Sequence, residues 1–144
     1  MQTSSGNTSS SINNGLELRL AAAGTTAVIT LYNGGPGSLK VLSHVDAEDR
    51  HYDWFTISLI GDTETRVLHL YDDRDESHRV IVDLDHGQSL EHRIDLVAWS
   101  MRKANQTQPL APGRYRMSAT YEVSDSAPVW NGRLESPVVD ISIP

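Results

Sequence analysis

The stretch Leu110-Ala111-Pro112-Gly113-Arg114-Tyr115-Arg116-Met117-Ser118-Ala119-Thr120-Tyr121 decides the fold class. Pro112 has no N–H to give to a ladder and Gly113 tolerates backbone angles closed to other residues, so the pair marks a turn. Beyond it Tyr115, Met117, Ala119 and Tyr121 alternate with polar side chains. A period of two puts all four on one face of a strand, whereas a helix would scatter them around its axis.

The same rhythm recurs outward from this segment in both directions. Leu16, Leu18 and Leu20 alternate with Glu17 and Arg19, and the β-branched run 27–32 ends at Asn33-Gly34-Gly35-Pro36-Gly37. Further strands are expected at 39–44, 54–60, 65–71, 80–84, 90–96 and 137–143, besides 114–123. Turn-forming clusters at 61–62, 72–77, 85–87, 109–113 and 124–128 separate most of them. About nine short strands at this spacing predict an all-β antiparallel sandwich. Residues 89–103 fit two periods, because Leu90, Ile94, Val97 and Met101 also fall at helical spacing. The expectation here is a strand to about Asp95, then one short helical turn near residues 96–103, around Trp99.

A chain of 144 residues, 38% hydrophobic and 22% charged, can bury a core without cross-links. It has no Cys, which excludes disulfides, thiolate metal centres and thiol catalysis. The net charge of −7 argues against a nucleic-acid partner, and no apolar run approaches the roughly 18 residues of a membrane span. Residues 1–15 include 13 that are Ser, Thr, Asn, Gln or Gly, and none that is charged. Such a segment buries too little to offset its ordering entropy and reads as a flexible tail before a domain at 16–144. A polar tether of this kind suits a processed exported protein, so a periplasmic or extracellular location is favoured over the cytoplasm.

The segment 110–123 resembles the late strands of immunoglobulin-like and fibronectin-type-III-like domains. That resemblance implies a Greek-key sandwich with Tyr115 as a tyrosine corner: ring inward, hydroxyl returned to backbone a few residues upstream. Antibody-type domains carry Cys two residues further on, where this chain has Met117. Apolar packing must then hold the sheets together, with Trp54 expected as the central plug. Residues 16–143 also resemble immunoglobulin-like modules of bacterial exported proteins, among them protease propeptide-like domains and BsuPI-type proteinase inhibitors. The shared features are Tyr32-Asn33-Gly34, Leu84-Asp85-His86-Gly87-Gln88-Ser89 and Leu110-Ala111-Pro112-Gly113-Arg114-Tyr115. They imply sandwich construction, and no inhibitory residue carries over.

Charge is uneven: residues 46–95 hold 14 acids against five Lys/Arg, and all six His lie in or beside that stretch. Asp72, Asp73, Asp75 and Glu76 are the candidate calcium ligands. Asp73-x-Asp75-x-Ser77 copies the start of a calcium loop, yet His78 stands where the loop needs glycine and Leu84 where it needs glutamate. An EF-hand is therefore excluded, and solvated loops are the competing reading. The histidines show no His-x-His, His-x-x-x-His or HExxH spacing. No Ser occupies a Gly-x-Ser-x-Gly elbow, and Asp62-Thr63-Glu64 reads as a hairpin turn after Gly61.

The expectation is a non-catalytic binding module without a cofactor, monomeric or weakly oligomeric, meeting a protein partner through loops or a strand edge. An inhibitor-like or propeptide-like role is its concrete form. Tyr52 and Trp130, aromatic and near loop ends, are the candidate partner-binding residues. For Trp130 a structural alternative stands beside that one: a staple that closes the final loop onto the end of the sandwich. A calcium- or other metal-dependent module using the acidic loops is the rival function.

Overall fold

The computed structural model describes residues 12–13, 15–72 and 78–144. Its strands are β1 (Ile12–Asn13), β2 (Leu16–Ala23), β3 (Thr26–Asn33), β4 (Leu39–Asp46), β5 (Arg50–His51) and β6 (Phe55–Gly61). They continue as β7 (Thr65–His69), β8 (His78–Leu84), β9 (Ser89–Asp95), β10 (Gly113–Val123), β11 (Gly132–Glu135) and β12 (Val139–Ile143). One short helix, α1 (Leu96–Ser100), and a 3-10 turn at Lys103–Asn105 follow β9. The chain is thus all-β and sandwich-like, with the helical turn where the competing periods at 89–103 placed it. Among the described residues no helix is long and apolar enough to cross a membrane.

All pairings are antiparallel and form three sheets. The first runs β1-β2-β3-β9 and the second β7-β6-β10. The far edge of β10 is shared, with β12 along Gly113 to Met117 and β11 along Thr120 to Val123. The third sheet is β5-β4-β8. The β2–β3 hairpin turns through Gly24, whose φ of +62° a residue with a side chain rarely adopts.

Strict alternation builds the interior of the first two sheets. Residues 27, 29, 31 and 33 of β3, 55, 57 and 59 of β6, and 115 to 123 at odd positions of β10 are all buried. All but Asn33 join one continuous apolar cluster with Leu16, Leu18, Ile94 and Leu134. That parity corrects one expectation. Phe55, not Trp54, is the buried plug; it lies directly opposite Tyr121 with ring centroids 4.7 Å apart, while Trp54 is only half-buried against the cluster.

Three short strands lie outside the expected set. β5 and β11 have two and four residues, too few for period two to show. β1 pairs Ile12 with Glu17 and Asn13 with Leu16, so strand pairing starts inside the segment assigned to the tail. The rest of that segment, residues 1–11 and 14, lies outside the described residues.

Candidate functional site

Strand β4 breaks the alternating rule. Five consecutive residues, Val41 to Val45, are buried, and its register with β8 shifts between Leu42 and His44. A bulge there lets neighbours that ought to face opposite ways both turn inward. Other elements close over both sides of the strand. The Trp130 N–H donates to Lys40 O at 2.8 Å, and the Tyr121 hydroxyl donates to Leu42 O at 2.7 Å.

Burial of Ser43 and His44 obliges them to find partners, because an unsatisfied polar group in an apolar interior costs about 1–3 kcal/mol. Ser43 Oγ lies 2.7 Å from His44 Nδ1 and 3.2 Å from Nε2 of His92, a buried residue of β9. The same His92 nitrogen is 3.0 Å from Ser43 O. Since a carbonyl only accepts, His92 Nε2 carries the proton. Ser43 Oγ then donates to His44 Nδ1, which leaves the His44 proton on Nε2, 3.3 Å from Asp46 Oδ1. Both imidazoles are neutral in this arrangement.

Aromatic rings complete the enclosure. His92 meets Tyr52 at 4.7 Å, Phe55 edge-on at 5.4 Å and His44 edge-on at 5.7 Å between centroids. Desolvation holds His92 down to about 4, and the neighbouring His44 and Arg50 add to the effect although the bond to Ser43 opposes it. Burial also lowers His44, assisted by Arg50 and opposed by Asp46. Tyr52 is pushed up by burial, with Arg50 acting against that shift.

The order Asp46–His44–Ser43 has the connectivity of a proton relay to a hydroxyl. Ser43 is wholly buried, however, and its Oγ is enclosed by the two imidazoles. A reacting carbonyl needs to come within about 3 Å of such an oxygen, and in this conformation the approach is filled. What the cluster can do chemically is hold two uncharged histidines and register the arrival of a proton.

The candidate ligand Asp72 is engaged elsewhere. Its Oδ2 accepts from Arg102 Nη1 at 3.0 Å, its Oδ1 accepts from Ala104 N–H at 3.1 Å, and its own N–H donates to His51 Nδ1 at 3.1 Å. The carboxylate therefore caps the 3-10 turn, and Asp49 joins the same Arg102 at 3.2 Å. Asp73, Asp75 and Glu76 lie outside the described residues. Among the described residues no three His, Asp or Glu side chains gather as a metal-ligand set.

Neither candidate anchor stands free on a loop. Tyr52 is half-buried against His92, with its N–H bonded to Leu70 O at 2.7 Å. Trp130 is 5% exposed and stacks on Tyr121 at 5.5 Å and 25°. The geometry is that of the staple: the ring packs on Tyr121 of β10, and the backbone N–H ties the loop before β11 to Lys40 of β4.

Tyr115 takes the tyrosine-corner position. The ring is 3% exposed, and the hydroxyl lies 2.6 Å from Ala111 O, four residues upstream, and 2.8 Å from Glu64 Oε2. Its single proton lies between these two acceptors. Burial and the carboxylate push Tyr115 up to about 12, while the Ala111 N–H and the Tyr115 hydroxyl hold Glu64 below the ordinary carboxylate range. A side chain on Gly61 would put its Cβ 2.7 Å from the Tyr115 ring, so glycine is needed where this strand passes the corner. Glu64 itself closes the turn after Gly61, whose N–H donates to Glu64 O at 2.9 Å.

The Ser43–His44–His92 cluster was the functional feature that reasoning from sequence missed. Two signals pointed toward it. Ser43-His44 interrupts Val41-Leu42 and Val45 in an otherwise apolar strand, and His92 shares the inward parity of Leu90 and Ile94.

A scan of protein-family models and searches of curated proteins and of solved structures found no match to this chain. Fold and site together define an all-β, sandwich-like domain. Its third sheet joins the others through Val41, Leu42 and Leu84 of the apolar cluster as well as through the buried Ser43–His44–His92 contacts.

Proposed function

We propose that the chain is a non-catalytic, immunoglobulin-like binding module that acts through protein–protein contacts on the outer face of the β7-β6-β10 sheet. Strand order supports the fold assignment. β2, β3 and β9 follow the A-B-E order, and β7, β6, β10 and the β11/β12 pair follow C′-C-F-G. The buried Tyr115 sits near the start of the F-like strand, where a tyrosine corner belongs. The order departs in the third sheet: β4 and β5 are extra strands between the B-like and C-like ones, and β8, in the D-like position, pairs with β4 instead of extending the sheet beyond β9.

The observation that carries the binding reading is the exposure of Ile60 (54%) and Val67 (50%). Val67 lies two residues beyond Thr65, the register partner of Ile60, so the two side chains are diagonal neighbours on one face. Around them are Thr56, Ser58, Ser118 and Thr120, with the exposed Arg116 directly opposite Ile60 on β10. An apolar pair among hydroxyl side chains with one arginine beside it suits a protein surface, since interfaces are enriched in Arg and depleted of Lys, Glu and Asp. The test is capture of native-host proteins by the wild-type chain and by an Ile60→Lys/Val67→Lys variant. Loss of captured protein by well over tenfold, with an unchanged melting temperature, supports the face; equal capture by both removes it.

A further inference from the structure

We propose that Ser43, His44 and His92 form an acid-sensitive latch: protonating its histidines detaches β4 from β9 and frees the β5-β4-β8 sheet, while the other two sheets stay paired. The inference stands apart from the binding reading and uses none of the residues on that face.

The geometry carries it. Ser43 and His92 are 49 positions apart and lie on different sheets, so their contacts are cross-sheet bonds outside any β ladder. Every proton in the cluster is committed: His92 Nε2–H to Ser43 O, Ser43 Oγ–H to His44 Nδ1, and His44 Nε2–H to Asp46. An added proton has two places to go. On His44 Nδ1 it reverses that bond: Ser43 Oγ must accept, and its hydroxyl proton loses the imidazole acceptor. On His92 Nδ1 it creates a cation among the rings of Phe55, Tyr52 and His44.

The surrounding charges do not absorb that cation. Arg50, from β5, acts on both histidines in the unfavourable sense. Asp46, at the end of β4, favours a charge on His44 through its bond to Nε2, but no carboxylate is among the groups acting on His92. Tyr52 and Tyr121 present phenols held protonated by burial, and Phe55 presents hydrocarbon. On β9 the flanking Glu91 and Arg93 are exposed on the opposite face and bond to each other. A charged imidazole is relieved only by reaching water, which requires β4 and β9 to part.

The test is nuclear magnetic resonance on the wild-type chain between pH 7 and pH 4. Ring-nitrogen spectra at pH 7 should show His44 and His92 neutral and protonated on Nε2. On acidification, amide protection factors in β4 and β8 should fall before those in β6 and β10. The open population should rise by about tenfold per pH unit for each histidine involved, as proton linkage requires. In His92→Gln the amide nitrogen takes the place of Nε2, and the steepness should drop by one proton. His78→Gln, on the exposed start of β8, should change nothing. A charged His92 at pH 7, simultaneous loss of protection in all three sheets, or an unchanged pH slope in a folded His92→Gln overturns the latch. If that variant does not fold, the wild-type ring states and the order of opening decide.

Discussion

The β3–β9 and β6–β10 pairs and the β4 segment are all interior, yet they are built on opposite rules. In the former, inward positions are apolar except for Asn33 and His92, and the backbone ladder satisfies the main chain. In β4 the burial is continuous, a bulge breaks the ladder, and Ser43 and His44 satisfy each other and a distant histidine. Apart from His92, the inward side chains of these strands include no histidine or carboxylate, so mild acid leaves that core unchanged. A polar interior is as well packed but conditional, since its bonds hold only in one protonation state. One molecule thus carries a pH-indifferent frame and a pH-dependent attachment.

The sharpest way to break that contrast is at the residue joining the two regions. Trp130→Ala removes a buried ring stacked on Tyr121 of the frame, while the backbone N–H that bonds Lys40 O of β4 is kept. The expected loss is about 3–5 kcal/mol, as for other buried Trp truncations. Urea unfolding monitored by circular dichroism measures it, and a variant as stable as wild type would show that the staple does not hold.

Next in size is the effect of acid. A histidine depressed from 6.5 to about 4 binds fewer protons folded than unfolded between those values. Stability is therefore fully present above pH 6.5, declines as pH falls toward 4, and then levels off. His92 alone accounts for about 3 kcal/mol by this linkage, an upper figure for a buried site, and His44 acts in the same direction. Denaturant midpoints collected at half-unit pH steps check the sign and the window.

A smaller change tests the frame by itself. Tyr115→Phe keeps the buried ring and removes the hydroxyl from Ala111 O and Glu64, for a loss of about 1 kcal/mol. Its pH slope between 6.5 and about 5 should match that of wild type, since the corner is remote from the histidines. Nearer pH 4 it should be shallower, because Glu64 loses the hydroxyl that holds it down. Smallest of all is the outer face. Ile60→Lys/Val67→Lys should leave stability within about 0.5 kcal/mol, as exposed substitutions do, and register only in partner capture.

Most of the frame was legible in the chain because its signals are local. The turn Pro112-Gly113, the alternation after it, the inward Tyr115 and the helical turn after Asp95 each depend on neighbours a few positions away. Trp54 and Phe55 show the limit of that legibility: adjacent aromatics differ by one step of parity, and the register with β10 chose Phe55. Asp72 shows another, since its acidic neighbourhood suggested metal while a cap and Arg102 take both of its oxygens.

The amino-acid sequence by itself determined the all-β class, the principal strands and the corner at Tyr115, because steric limits on turns and the two-residue repeat act within a short span of chain. Only the tertiary structure decided that β8 joins β4, that Trp130 turns inward, and that His92 meets Ser43 across 49 positions. Those outcomes depend on which distant surfaces close together. A histidine reads the same in sequence whether it ends in water or against another imidazole; its partner and its proton are set when the sheets pack.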